Sequence, residues 1–79
     1  MSEKAYVLIE TQVGKTKEVV AAMSKLEGVV SVDVVTGPYD AIAVVRAATL
    51  NNIGDLITAK IHPTRGVSRT VTCLVFKGP

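Results

Sequence analysis

An α+β fold is predicted: one four-stranded antiparallel sheet with two helices on one face, in chain order βαββαβ. Three observations predict it. The middle of the chain holds two β-branched runs, Val29–Thr36 and Ala41–Ala47, parted by Gly37-Pro38-Tyr39-Asp40. A segment with apolar residues at helical spacing lies on each side of that hairpin, and a strand-like run lies at each end of the chain. No linker, low-complexity tract or composition shift divides the 79 residues, so residues 1–79 read as a single domain.

The elements follow in order. Met1–Lys4 is a polar lead-in, and Ala5–Thr11 (AYVLIET) is the first strand. Ala5, Val7 and Ile9 alternate onto one of its faces, Tyr6 and Leu8 onto the other. Gly14 turns the chain within Gln12–Thr16. Lys15–Leu26 is the first helix, with Val19, Val20, Met23 and Leu26 in one stripe and Lys17, Glu18 and Lys25 toward water. Gly28 is the expected stop, because glycine accepts the left-handed conformation that ends many helices. In the hairpin, branched Cβ atoms suit a pleated surface, and the Gly-Pro pair makes the turn. Thr49 caps the second helix. Its apolar stripe is Leu50, Ile53, Ile57 and Ile61, and Gly54 inside it costs about 1 kcal/mol relative to alanine. His62-Pro63-Thr64-Arg65-Gly66 ends that helix, Val67–Lys77 (VSRTVTCLVFK) is the last strand, and Gly78-Pro79 is a tail.

This layout is that of a ferredoxin-like sandwich. Its sheet departs from a water-facing one. A sheet with one wet face alternates apolar with polar residues, whereas Ala43/Val45 and Ile42/Val44 are both apolar sets, as are the two sets of the first strand. Hydrophobic residues make up 48% of the chain, and with two Tyr, one Phe and no Trp the core must be aliphatic. Mean hydropathy is +0.38, high for a domain that buries only about 60% of its unfolded surface. The expectation is a dimer, joined through the face that carries no helices.

Charge and cysteine content exclude several classes. Nine basic and seven acidic residues are scattered along the chain, with no Lys/Arg stripe for binding phosphates. One cysteine forbids an internal disulfide and suits a reducing compartment. No signal-peptide pattern opens the sequence, and no apolar run approaches the roughly 18 residues of a membrane span. A cytoplasmic protein is expected. Gly14-Lys15-Thr16 matches the end of a phosphate-binding loop, but the glycine that must precede it is replaced by Ile9. One His and one Cys make no metal quartet, and His62 with Cys73 lacks an orienting partner for nucleophilic catalysis. Cys73 is expected as a small buried hydrophobe, and Arg65 and Arg69 as solvated surface. No enzyme, metal or cofactor is expected.

Two motifs carry a family resemblance: T-G-x-Y-D at Thr36–Asp40 and G-V-x-x-T-x-T at Gly66–Thr72. With them, roughly residues 4–76 resemble the ligand-binding half of the Lrp/AsnC transcriptional regulators, the RAM domain. The resemblance implies dimers formed sheet to sheet, rings of dimers such as an octamer or decamer, and small amino acids bound where dimers meet. Carried onto this sequence, the ligand-binding residues are Thr36, Gly37, Tyr39 and Asp40 at the hairpin tip and Thr70 and Thr72 on the last strand. The full-length regulators also carry an N-terminal helix-turn-helix. This sequence begins at the first strand, so it is similar to stand-alone RAM proteins, with no direct DNA binding expected and a full-length regulator as the implied partner.

The chemistry suits a zwitterion. A carboxylate at Asp40 accepts charge-assisted bonds from an ammonium. Backbone N–H groups near Gly37, unshielded by a Cβ, suit a carboxylate. Threonine hydroxyls donate and accept, so Thr70 and Thr72 can read either end. Each residue also has a structural reading: Asp40 as a turn cap, Tyr39 as interface packing, Thr70 and Thr72 as ordinary strand residues, Gly37 as a turn residue. Two alternatives to a sensor follow, a ligand-free assembly module and a small ferredoxin-like enzyme.

Overall fold

The computed structural model describes residues 2–76. Its elements are β1 (Glu3–Thr11), α1 (Thr16–Ser24), β2 (Val29–Val34), β3 (Ala41–Ala47), α2 (Leu50–Leu56) and β4 (Val67–Leu74). The strands form one sheet in the order β2-β3-β1-β4, and every neighbouring pair is antiparallel. The ferredoxin-like βαββαβ arrangement is thus as the sequence predicts, with β1 and β3 central and β2 and β4 at the edges.

Alternation along the central strands decides which side chains meet the helices. Ala5, Val7 and Ile9 of β1 and Ala41, Ala43 and Val45 of β3 are fully buried. They form one aliphatic core with Val19 and Met23 of α1 and with Ile53, Ile57 and Ile61. Both helices therefore cover the same face. Among the described residues the core holds no buried polar or charged side chain, so apolar packing alone specifies it.

The opposite, open face carries the other phase of each strand. Cross-strand register gives two apolar rows: Val44–Tyr6–Cys73 and Ile42–Leu8–Val71, which end on β2 at Ser31 and Asp33. Charges border this band. Lys4 lies 5.2 Å from the Tyr6 ring centroid, and at the other end Arg69 pairs with Glu10 at 3.2 Å. Cys73, expected to be buried, is exposed here opposite Tyr6. Its strand phase puts it on the uncovered side of an edge strand.

Element ends differ from expectation in several places. β1 begins two residues earlier, at Glu3. α1 stops at Ser24, not Leu26, where bonds from Lys25 N–H to the Ala22 carbonyl (3.3 Å) and from Leu26 N–H to the Met23 carbonyl (3.1 Å) tighten the chain. Gly28 is not the helix stop. With φ of +96° it aims the chain into β2, and its carbonyl accepts a bond from Arg46 N–H at 2.8 Å. β2 ends at Val34, two residues short of the expected Thr36. In the last strand the ladder ends at Leu74; Lys77 and the expected tail Gly78-Pro79, like Met1, lie outside the described residues.

The second helix begins as predicted, with the Thr49 hydroxyl accepting Asn52 N–H at 3.1 Å. Leu50, placed in its apolar stripe by the sequence, is 53% exposed: it lies outside the core cluster and lines two open grooves together with Leu74 of β4. The helix then widens into a π turn over Ile57–Ile61, where His62 N–H reaches the Ile57 carbonyl at 2.8 Å. A π turn holds one more residue than an α turn, and here both Ile57 and Ile61 stay in the core.

Candidate functional site

The hairpin tip is held by three bonds that converge on Asp40. Val35 N–H donates to its carbonyl at 3.0 Å, and its own N–H donates to the Ile9 carbonyl at 2.9 Å. Its carboxylate Oδ2 accepts Thr11 N–H at 2.8 Å. Ile9 and Ala41 form the last paired row between β1 and β3. Beyond it β3 has turned away, and the Asp40 carboxylate supplies the acceptor that a strand carbonyl would have offered. The Thr11 hydroxyl in turn lies 2.7 Å from that of Thr16 at the start of α1. One carboxylate thus joins the tip to the end of β1 and, through Thr11, to the first helix.

The turn-cap reading of Asp40 is thus corrected: its side chain caps the backbone of β1, 29 residues away, and not that of its own turn. A charge-assisted bond of this kind contributes about 1.5–3 kcal/mol. Asp40→Ala is expected to lower the free energy of unfolding by that amount in urea titrations, and Asp40→Asn, which keeps an oxygen acceptor, by less. Equal losses for both would mean that charge, not the acceptor, holds the tip.

Around Asp40 the tip is open. Thr36, Gly37 and Pro38 are exposed, and Tyr39 is half-buried. Gly37 has φ of +123° with no heavy atom within 4 Å of where a Cβ would stand. Its backbone is approachable, and the conformation itself calls for glycine.

Thr70 and Thr72 sit on β4 opposite Ile9 and Val7. That register puts both on the covered face, where β4 as an edge strand is only partly roofed. Thr70 shares the row Ala41–Ile9–Thr70 with the base of the tip, and its hydroxyl lies 3.0 Å from His62 Nε2. Thr72 lies two residues further along. It opens into a 310 Å³ groove whose walls include Ile53, Gly54, Ile57, Thr58 and Leu74 and carry no charged side chain. A larger cleft of 470 Å³, between the end of α1 and α2, is lined by Lys25, Glu27, Asp55 and Lys60 among others and includes none of the six predicted residues.

The six residues thus fall in three places. β3 and β4 are separated by β1, so tip and Thr70 stand about 10 Å apart, and Thr72 is some 7 Å further along the strand. A free amino acid is one residue long, about 4 Å between its backbone ends. With a hydrogen bond of about 3 Å at each end it spans about 10 Å, so within one protomer one such ligand reaches from the tip to Thr70 but not to Thr72 as well. Sequence reasoning missed His62, whose only signal is its position: it follows the last core residue of the helix, eight residues before Thr70.

Comparison with known proteins bears on this arrangement. The family model described as the Lrp/AsnC ligand binding domain matches residues 4–79. An uncharacterized HTH-type transcriptional regulator of Pyrococcus furiosus is 37% identical over 75 residues, covering 91% of this chain and 50% of its own length. The chain spans about half the length of the curated relatives it matches. The crystal structure of a Thermus thermophilus protein, TTHA0845, superposes with a TM-score of 0.91 at 35% identity, covering 98% of this chain and 96% of that one. A feast or famine regulatory protein from M. tuberculosis, solved in complex with L-methionine, superposes with a TM-score of 0.78 at 26% identity over 96% of this chain and 51% of that one.

Proposed function

The chain belongs to the Lrp/AsnC ligand-binding domain family, and from that premise we propose that it is an effector module that binds a small amino acid between copies of itself. The observation that carries the reading is the tip: T-G-x-Y-D is present, and its backbone is held in place while Gly37 stays approachable. A relative of the same fold binds L-methionine, which makes that amino acid the first candidate.

The separation of the six residues supports a site shared between protomers. The tip of one copy, Thr36, Gly37, Tyr39 and Asp40, meets Thr70 and Thr72 of another. Dimers form through the apolar band of the open face and assemble further through such contacts. Ligand acts by favouring one assembly over another, which requires different affinities for the two. The output passes to a protein partner, a full-length regulator of the same family being the natural one. The module is cytoplasmic, and no helix among the described residues is long and apolar enough to cross a membrane. We read it as a binding module and not an enzyme. Cys73 stands on the open face opposite Tyr6, while His62 bonds Thr70 on the covered face. The sheet therefore separates the two side chains best suited to a nucleophile and its base.

One observation favours a second reading, a ligand-free assembly module. The Asp40 carboxylate already has a structural partner, so the tip need not await a ligand to be ordered.

A thermal-shift screen against the twenty amino acids decides between them. A ligand at about 100 times its dissociation constant stabilises the folded state by roughly 2.7 kcal/mol. In a domain of this size that raises the melting temperature by about 10 °C or more. A selective shift is expected, with L-methionine among the first to test. Twenty flat results would leave the assembly reading standing.

A further inference from the structure

His62 is placed firmly for an exposed side chain. Its N–H bonds the Ile57 carbonyl at 2.8 Å, and the preceding Ile61 is fully buried. In an α-helix that N–H would bond four residues back, to Thr58. The π turn inserts one more residue before the chain leaves the helix, and the imidazole arrives with Nε2 3.0 Å from the Thr70 hydroxyl. π turns inside helices often occur at functional sites. Here the turn joins the end of a helix to one of the six proposed ligand residues.

The chemistry of that contact bears on recognition. A threonine hydroxyl has one proton to donate and two lone pairs to accept with. Left alone on an edge strand it rotates. Bound to an imidazole nitrogen, it has one direction fixed, and what remains is defined. If Nε2 accepts, Thr70 presents lone pairs, which suit a ligand ammonium. If Nε2 donates, Thr70 keeps its O–H, which suits a carboxylate. Fixing a polar group before the ligand arrives removes part of the ordering cost of binding.

We propose that His62 is a positioning residue of the amino-acid site, acting through Thr70 and not by touching the ligand; this rests on the sensor reading above. His62 orients the Thr70 hydroxyl and so selects which end of the zwitterion that strand reads. The π turn is the device that holds His62 in reach.

The test is calorimetric titration of the folded protein with the twenty amino acids, L-methionine first. The variants are His62→Ala, His62→Gln, Thr70→Val and the double variant His62→Ala/Thr70→Val. Loss of one neutral hydrogen bond predicts about fivefold weaker binding for His62→Ala. His62→Gln, whose amide both donates and accepts, is expected to restore affinity. Thr70→Val should weaken binding at least as much, and adding His62→Ala to it should change nothing further, as for two residues acting as one unit. Wild-type affinity in His62→Ala would overturn the proposal and leave the sensor reading intact. An independent further loss in the double variant would also overturn it, because His62 would then act without Thr70. A wild-type protein that binds no amino acid would end both.

Discussion

Gly66→Ala is expected to destabilise the fold by about 3 kcal/mol, a large share of the roughly 4–12 kcal/mol available to a domain of this length. Two effects add. Gly66 has φ of +98°, a conformation that costs a residue with a Cβ about 1 kcal/mol or more. A Cβ there would also stand 2.8 Å from Val19 Cγ2 and 3.0 Å from Lys15 Cβ. The first of these is a branched core side chain with little freedom to move, and overpacking a filled core costs about 1–3 kcal/mol. The Gly66 carbonyl meanwhile accepts Gln12 N–H at 2.8 Å, so a shift of backbone to relieve the clash would strain the junction between β1 and β4. Equilibrium unfolding in urea measures the loss. A change of only about 1 kcal/mol, the backbone cost alone, would mean that α1 can move away from this corner freely.

The second large effect concerns assembly. Leu8→Asp is expected to weaken self-association at least about a hundredfold, because an uncompensated carboxylate would be buried in the middle of an apolar contact. Leu8 sits between Ile42 and Val71 in the inner row of the open face. It is half-buried in the single protomer, so the folded monomer has water within reach of a carboxylate there. Sedimentation velocity across a concentration series should show a dimer for the parent protein and a monomer for the variant, with an unchanged far-ultraviolet circular dichroism spectrum. An unaltered dimer would place the interface elsewhere and leave the apolar band without a role in pairing.

Much of the fold is legible because local signals agree with one another. The hairpin announces itself through β-branched runs around Gly37-Pro38, and Thr49 both reads as a cap and is one. Val19, Met23, Ile53, Ile57 and Ile61 are found by periodicity and are buried as that periodicity requires. Where the reading failed, position at an end or an edge was the cause. Leu50 fits the stripe of α2, yet it stands largely exposed, lining a groove with Leu74 at the end of β4. Gly28 looks like a helix stop, but α1 has already ended four residues before it. Cys73 lies in an apolar run, and only its phase exposes it.

The candidate site divides in the same way. The motif at Thr36–Asp40 is a local property of the chain, and its turn forms where the residues indicate. The partner of the Asp40 carboxylate, Thr11 N–H, is 29 residues away in sequence.

By itself the sequence determined the order of elements, the position of the hairpin tip, the aliphatic core and the presence of two apolar sets on each central strand. These follow from backbone propensity and from the periods of helix and strand, which act over a few residues. Only the tertiary structure decided which set the helices cover, that Thr70 and Thr72 share that covered face, and that His62 meets Thr70. Alternation divides a strand into two faces without saying which is roofed, and when both are apolar composition cannot choose. The choice is made by the packing of both helices on the Ala5, Val7 and Ile9 side of the sheet and by the pairing of Val7 with Thr72 and of Ile9 with Thr70, contacts between segments far apart in the chain.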